Sequence, residues 1–343
     1  MGSGILTAII TILVFGGIIL FHEFGHFITA KRCGVSVWEF SIGMGPSIYS
    51  WERGETLYAI RLLPIGGYVM LEGEEEEVES ENSLSQKPLW QRLMVFAAGS
   101  VNNLLLGYIL LVIITAMNGY VGTTYIAKFN EGATSNSVLQ LGDKITHING
   151  NRVRTSNDVT YEFLRDFDGN LDITVLRDGE TMQFDAIPFK MEDIGDGVFA
   201  IDMDFKVAAI PPKPIQYLTY PINWSISLGK QVWGSFIDLV SGRYNLNQLS
   251  GPVGVAEAIG QASRVGLKQL LMLSAFLTIN IGIFNLIPFP LLDGGKIVII
   301  LLEALFRRKF NQRVIEWIMT GSVALMIMLM IYVTCNDIFR LIR

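Results

Sequence analysis

Four stretches of this chain are too apolar, for too long, to be left in water. They run over about 5–30, 93–117, 269–292 and 317–335, and each could cross about 30 Å of hydrocarbon, which takes roughly 20 helical residues. Inside hydrocarbon a segment has to satisfy its own backbone amides, so each stretch is expected to be a helix. A chain buried in lipid throughout is excluded too, because 26 Lys and Arg and 32 Asp and Glu need water. Charged residues make up 17% of the 343, against about a quarter in soluble domains. The expectation is a multi-pass α-helical membrane protein with four transmembrane helices interrupted by a polar domain. A removable signal peptide fits the first stretch poorly, since it lacks a basic lead and ends in charged residues.

Basic residues set the orientation. Lys31, Arg32, Arg53, Arg61, Lys87 and Arg92 flank the first connection, and Arg307, Arg308, Lys309 and Arg313 the last. Both connections are therefore expected in the cytoplasm, with both termini and the 118–266 region outside; Arg340 and Arg343 oppose this but are fewer. The layout is residues 1–34 for the first helix, 35–92 for a cytoplasmic loop, 93–118 for the second helix and 119–210 for an outer domain. Residues 211–266 form a connector, 267–295 the third helix, 296–313 a cytoplasmic connection, and 314–343 the fourth helix and C-terminus. Cys33 and Cys335 then lie a membrane apart, which excludes a structural disulfide between them.

The polar pieces are specific. Residues 118–213 carry nine Lys/Arg and fifteen Asp/Glu, the chain's whole net charge of −6. That sign argues against nucleic acid as a partner. Ile145, Ile148 and Val153 around Asn149-Gly150, and 171–176 and 182–187 around Asp178-Gly179, read as two tight hairpins. In the cytoplasmic loop, 38–51 and 56–70 read as strands around a polar 52–55 turn. They are too apolar for a solvated loop, so this β-hairpin is expected to lie against the membrane or dip into protein-lined space. The acidic run 74–77 reads as a solvated linker. Residues 215–240, with Trp224, Leu228, Val232, Trp233, Phe236 and Leu239 at three- and four-residue spacing, read as an interfacial amphipathic helix. A fifth span is the alternative.

The chemistry is carried by few residues. His22, Glu23 and His26 form HExxH inside an apolar run, where ionisable groups are expensive and point to function. Residues i and i+4 share a helix face, so both imidazoles can hold one zinc ion while Glu23 acts as general base toward water. A third ligand is needed. Between Glu257 and Glu303 the only other acidic residue is Asp293, within Asn285-Leu-Ile-Pro288-Phe-Pro290-Leu-Leu-Asp293-Gly-Gly. The prolines and glycines break the third helix there, at a depth matching His26. His147 reads as an exposed strand residue and not as a ligand.

These paired motifs resemble the site-2 protease family of intramembrane zinc metalloproteases. The stretch ending Pro64-Ile-Gly66-Gly67-Tyr68 and the Leu249-Ser-Gly-Pro-Val253 segment resemble its bacterial regulator-of-sigma-E branch. The Leu141-Gly-Asp143 and Ile148-Asn-Gly150 string resembles a PDZ domain; a generic small β domain is the alternative. The resemblance implies one Zn2+ per chain on His22, His26 and Asp293, with Glu23 catalytic. Substrate would be positioned by Asn103, Asn285, Pro288, Pro290, Gly66 and Gly67. It implies a multi-pass protein of the bacterial cytoplasmic membrane, in contact with the lipid bilayer, with its active site near the cytoplasmic side. Its substrates would be pre-trimmed single-span membrane proteins, such as anti-sigma factors or signal-peptide remnants, and the outer domain would read peptide ends or substrate outer domains. Two departures stand out: that branch often has tandem PDZ domains where this chain has room for one, and Gly99-Ser100 stands where Gly-Pro is usual. A non-catalytic PDZ scaffold and a metal transporter or sensor are the rival readings.

Overall fold

The computed structural model describes residues 2–74, 78–166, 168–193, 199–242 and 249–342. Residues 75–77 of the acidic run lie outside them. The chain forms two compact units, residues 1–110 with 232–343, and residues 111–231.

Among the described residues, four helices are long and apolar enough to cross a membrane: α1 (Gly2–Arg32), α2 (Leu89–Asn118), α6 (Leu267–Phe284) and α8 (Gln312–Ile342). Lys31 and Arg32 close α1 where the helix dipole favours cations. The chain then turns at Gly34, φ +67°, with Val35 N–H donating to Ala30 O and Gly34 N–H to Lys31 O. This Schellman-type stop uses the orphan carbonyls of the last turn. Small residues let α2 run close to its neighbours. A Cβ on Gly25 of α1 would lie 2.5 Å from Ala98 O, and one on Gly107 would overlap Ile279 of α6.

Two connections are more helical than the sequence reading had them. Residues 296–313 are not a plain connection, since α7 spans Asp293–Phe306. The 211–266 connector contains α4 (Gln216–Val240) and also α5 (Pro252–Val265). α5 packs against α1, where a Cβ on Gly260 would come within 2.6 Å of Thr7 Cγ2. The carboxylate of Asp337 on α8 accepts from Gly254 N–H at 2.8 Å and holds the first turn of α5. α4 is not among the four span candidates. Its apolar residues occupy two faces: Leu228 and Val232 are buried, while Leu218, Ile222, Ile226, Trp233, Ile237 and Val240 are exposed. Trp233 therefore lies opposite the face on which spacing grouped it.

The loop hairpin is β1 (Val37–Arg53) with β2 (Thr56–Leu71), joined through Gly54-Glu55. Each strand bends once. Residues 39–42 pair with 57–60 on one side and 67–70 on the other, while 47–53 pair with 56–61. Two strands thus make four lanes. Arg61 pins them by donating to Glu39 Oε1 (2.5 Å), Ser41 Oγ (2.7 Å), Gly45 O (2.7 Å) and Tyr68 OH (2.5 Å). Burial disfavours an ionised Glu39, yet hydrogen bonds from Arg61 and Ser41 hold its carboxyl below the usual range. Lys31 donates to Glu55 at 2.6 Å and ties the turn to the end of α1.

The second unit holds a six-stranded sheet. β3 (Val121–Phe129), β4 (Lys144–Ile148), β6 (Asn170–Arg177), β7 (Glu180–Pro188) and β10 (Phe205–Ile210) run in the order β10-β3-β4-β6-β7, and the short β5 (Asn151–Arg152) pairs with β4. A two-stranded pair, β8 (Met191–Asp193) with β9 (Phe199–Ile201), stands apart. The two tight turns are where the sequence put them. Asn149 and Gly150 have φ +48° and +76°, and Asp178 and Gly179 have φ +51° and +89°. Positive φ at both positions is what lets a two-residue loop match strand twist. α3 (Ser156–Arg165) starts in a capping box between Thr155 and Asp158, and seats Phe163 edge-on to Phe205 and Phe189.

Asp143, 1% exposed, takes two hydrogen bonds of 2.7 Å from Arg177. Burial raises its pKa, but Arg177 and the Gln140 amide outweigh this and bring it below the usual carboxylate value. A depressed folded pKa stabilises the fold above the unfolded value of about 3.9 and loses that contribution as pH falls through the folded one. Asp143→Ala should cost about 2 kcal/mol, because it leaves the Gln140 amide without its acceptor and Arg177 without its carboxylate partner. Hydrogen exchange of the β6 amides in the full-length protein would measure this. Wild-type protection in the variant at pH 7 would contradict it, and the deficit should shrink only below about pH 4.

Candidate metal centre

His22 and His26 sit one turn apart on α1 and are 7% and 9% exposed. Their Nε2 atoms approach to 3.2 Å. Asp293, in the first turn of α7, brings Oδ2 to 3.2 Å from His22 Nε2 and 3.3 Å from His26 Nε2. Three donor atoms from two distant segments therefore form a near-equilateral triangle. Ligands at 2.0–2.1 Å around a tetrahedral zinc ion lie about 3.3 Å apart, so the triangle fits one face of that tetrahedron. Asp293 Oδ2 is buried with no hydrogen-bond donor of its own. The residues present fit zinc.

Two of the three donors, those of His26 and Asp293, are held from behind. His26 Nδ1 donates to Val95 O of α2 at 2.8 Å, which leaves Nε2 with its lone pair toward the centre. Asp293 is fixed by backbone. Gly294 N–H donates to Asn285 O at 2.7 Å, folding the 285–292 loop onto the start of α7. A Cβ on Gly294 would overlap the Leu286 and Ile287 carbonyls. This is why two glycines follow Asp293: only a bare backbone lets the loop return so closely.

The other candidate residues divide. Glu23 is half-buried on the same turn as the two histidines and lies within electrostatic reach of His22, His26 and Asp293. A Cβ on Gly67 would be 3.7 Å from Glu23 Cγ, so the 67–71 lane of the hairpin passes beside Glu23. Gly66 faces its own hairpin instead, against Met44. Asn103 is fully buried on α2, its Nδ2 3.5 Å from His22 Nδ1. Asn285 caps α6 and contributes its backbone carbonyl, Pro288 is exposed and Pro290 half-exposed, all in the loop before Asp293. His147 is in β4 of the second unit, its ring 3.2 Å from Thr146 Oγ1.

Sequence reasoning missed Gly99. A Cβ there would overlap His26 Nε2 and come within 2.6 Å of His22 Nε2. It also missed Val95, which acts through a carbonyl that every residue possesses. A signal for Gly99 did exist, as a small residue within the second apolar stretch.

Comparison with known proteins gives the family. The family model for peptidase family M50 matches residues 10–329. A Fusobacterium nucleatum protein named as a zinc metalloprotease is 33% identical over 341 residues, covering 98% of this chain and 99% of its own. A Clostridium perfringens protein of like name is 32% identical over 331 residues, covering 96% and 98%. Bacillus subtilis RasP, named as a regulator of sigma-W protease, is 28% identical over 418 aligned positions, covering 98% and 99%; it is the longer protein. A family match across nearly the whole chain and four apolar helices lead to one conclusion: the chain belongs to peptidase family M50 and is an integral-membrane zinc metalloprotease.

Proposed function

We propose that His22, His26 and Asp293 hold the zinc ion and that Glu23 is the general base in hydrolysis of peptide bonds within transmembrane segments. The observation that carries this is the triangle of donor atoms 3.2–3.3 Å apart, assembled at a helix crossing in an apolar segment. Zinc bound there supplies Lewis acidity that polarises the scissile carbonyl and acidifies water. The Glu23 carboxylate takes the proton from the attacking water and delivers it to the leaving amine. A helical substrate hides its scissile bond behind internal hydrogen bonds. The 67–71 lane beside Glu23 offers an extended partner, and no strand pairs with its other edge among the described residues. Adding a substrate strand there would hold an unwound segment at the base, with Asn285, Pro288 and Pro290 at the mouth of the loop.

The substrates we infer are single-span membrane proteins already trimmed on their outer side. Anti-sigma factors are favoured by the name of the Bacillus subtilis relative, and signal-peptide remnants share the same form. The basic connections favour a bacterial cytoplasmic membrane with the zinc site near its inner face. The sheet unit would then lie outside, as a single PDZ-like domain that reads peptide ends or limits the size of what enters.

Two outcomes test the assignment. In detergent or liposomes with a single-span substrate, Glu23→Gln should lower the cleavage rate by a factor of about 10² to 10⁴ while one zinc per chain is retained. Undiminished cleavage would sink the protease mechanism. Gly99→Ala should leave the purified protein with far less than one zinc per chain, because the new methyl needs the space of both imidazoles. Gly17→Ala, on the same helix as the histidines with nothing within 4 Å of the added methyl, should keep its zinc. Metal content by elemental analysis separates the two; full zinc in the Gly99 variant would contradict the geometry.

A further inference from the structure

The two imidazoles are held unequally, and the difference singles out one residue of α2. For Nε2 of a histidine to offer a lone pair, Nδ1 must carry the ring proton and needs an acceptor. His26 has one in Val95 O at 2.8 Å. His22 points Nε2 at the same centre and so meets the same requirement. The polar group beside its Nδ1 is the side-chain amide of Asn103, with Nδ2 at 3.5 Å. Asn103 is fully buried, and its Oδ1 has no hydrogen-bond partner. One buried acceptor without a donor therefore stands next to one ring nitrogen that needs an acceptor.

We propose that Asn103 is a positioning residue for the zinc ligand His22: its Oδ1 accepts the Nδ1 proton and holds Nε2 toward the metal. The proposal rests on the zinc assignment above. The amide oxygen and nitrogen occupy nearly equivalent positions, so a half-turn about the last side-chain torsion brings Oδ1 against Nδ1. That turn satisfies both groups. The opposite orientation leaves a buried carbonyl oxygen unpaired, at a cost of about 1–3 kcal/mol, and drives the ring proton onto Nε2, where the metal must bind. The placement is not isolated. Val95, Gly99 and Asn103 are spaced i, i+4, i+8 along α2, opposite His26 and His22 at i and i+4 along α1. One helix thus presents an acceptor, a gap and a second acceptor to a pair of imidazoles. Gly282 of α6 backs the arrangement, since a Cβ there would come within 3.2 Å of Asn103 Cβ.

The rival role for Asn103 is direct contact with substrate through its NH2 group, and the two roles part at Asn103→Asp. Aspartate keeps an acceptor oxygen in the same place and loses the donor. Zinc affinity is measured by competition with a chromophoric chelator on the full-length protein in detergent. Asn103→Ala should weaken zinc about 10- to 100-fold, whereas Asn103→Asp should bind it at least as tightly as wild type. Asn102→Ala is the control: the Asn102 side-chain amide donates to Phe21 O across the same helix pair, and its loss should leave zinc affinity unchanged. Wild-type affinity in Asn103→Ala overturns the proposal. So does a tenfold loss in Asn103→Asp, which decides the matter even where the alanine variant fails to fold. If wild type itself binds no zinc in this assay, the ligand assignment has failed, a different result from a wild type that binds and an alanine variant that matches it.

Discussion

The crossing of α1 and α2 is the constraint on which the rest depends. Helices with ordinary side chains at their contact lie 8–10 Å apart. Here Gly25 on one and Gly99 on the other remove the side chains that would keep them at that distance. The space between the helices is then filled by two imidazoles. Backbone and side-chain groups of α2 come close enough to hold the ring nitrogens facing away from the centre. Asp293 reaches the same point only because a second pair of glycines lets its loop fold back on itself. Close approach of backbone, more than any one hydrogen bond, is what this chain uses to bring polar groups together in an apolar setting.

The division of charge follows the division of structure. The net −6 belongs to the 118–213 region, and the remainder of the chain balances. Within the helical unit, several ionised groups form pairs that tie elements together. Arg61 with Glu39 fixes the lanes of the hairpin, and Lys31 with Glu55 anchors its turn. Lys296, three residues after Asp293, donates to Glu74 at 2.5 Å, so the linker leaving the hairpin is fastened to the helix that carries the third donor.

Much of this was legible in the sequence because the relevant signals are local. HExxH needs only helical spacing to place His22 and His26 on one face. Asn149-Gly150 and Asp178-Gly179 needed only the positive φ that their turns require. Asp293 stood out because so few acidic residues lie near an apolar segment. What stayed hidden depends on distance in space. α7 begins with Asp-Gly-Gly and continues for a length that a short connection can mimic. The four lanes of the hairpin were invisible because alternation marks a strand without saying how many partners it has. Periodicity alone did not separate the packed face of α4, with Leu228 and Val232, from the exposed one that carries Trp233, because the helix is apolar on both sides. Gly99 escaped because its contribution is the absence of atoms.

Among the described residues one edge of the 67–71 lane is open, and this bears on hydration. That lane lies beside Glu23, about two helical turns up α1 from Lys31 where the hairpin is anchored, or about 12 Å at 1.5 Å per residue. Backbone amides left unpaired in hydrocarbon would each cost several kcal/mol. An edge at such depth is therefore tolerable only where water reaches it or another strand covers it. A peptide bond cannot be hydrolysed without water, and hydrocarbon supplies none. An edge that accepts either a substrate strand or solvent would meet both needs, leaving a wet path to the Glu23 carboxylate when no chain lies along it.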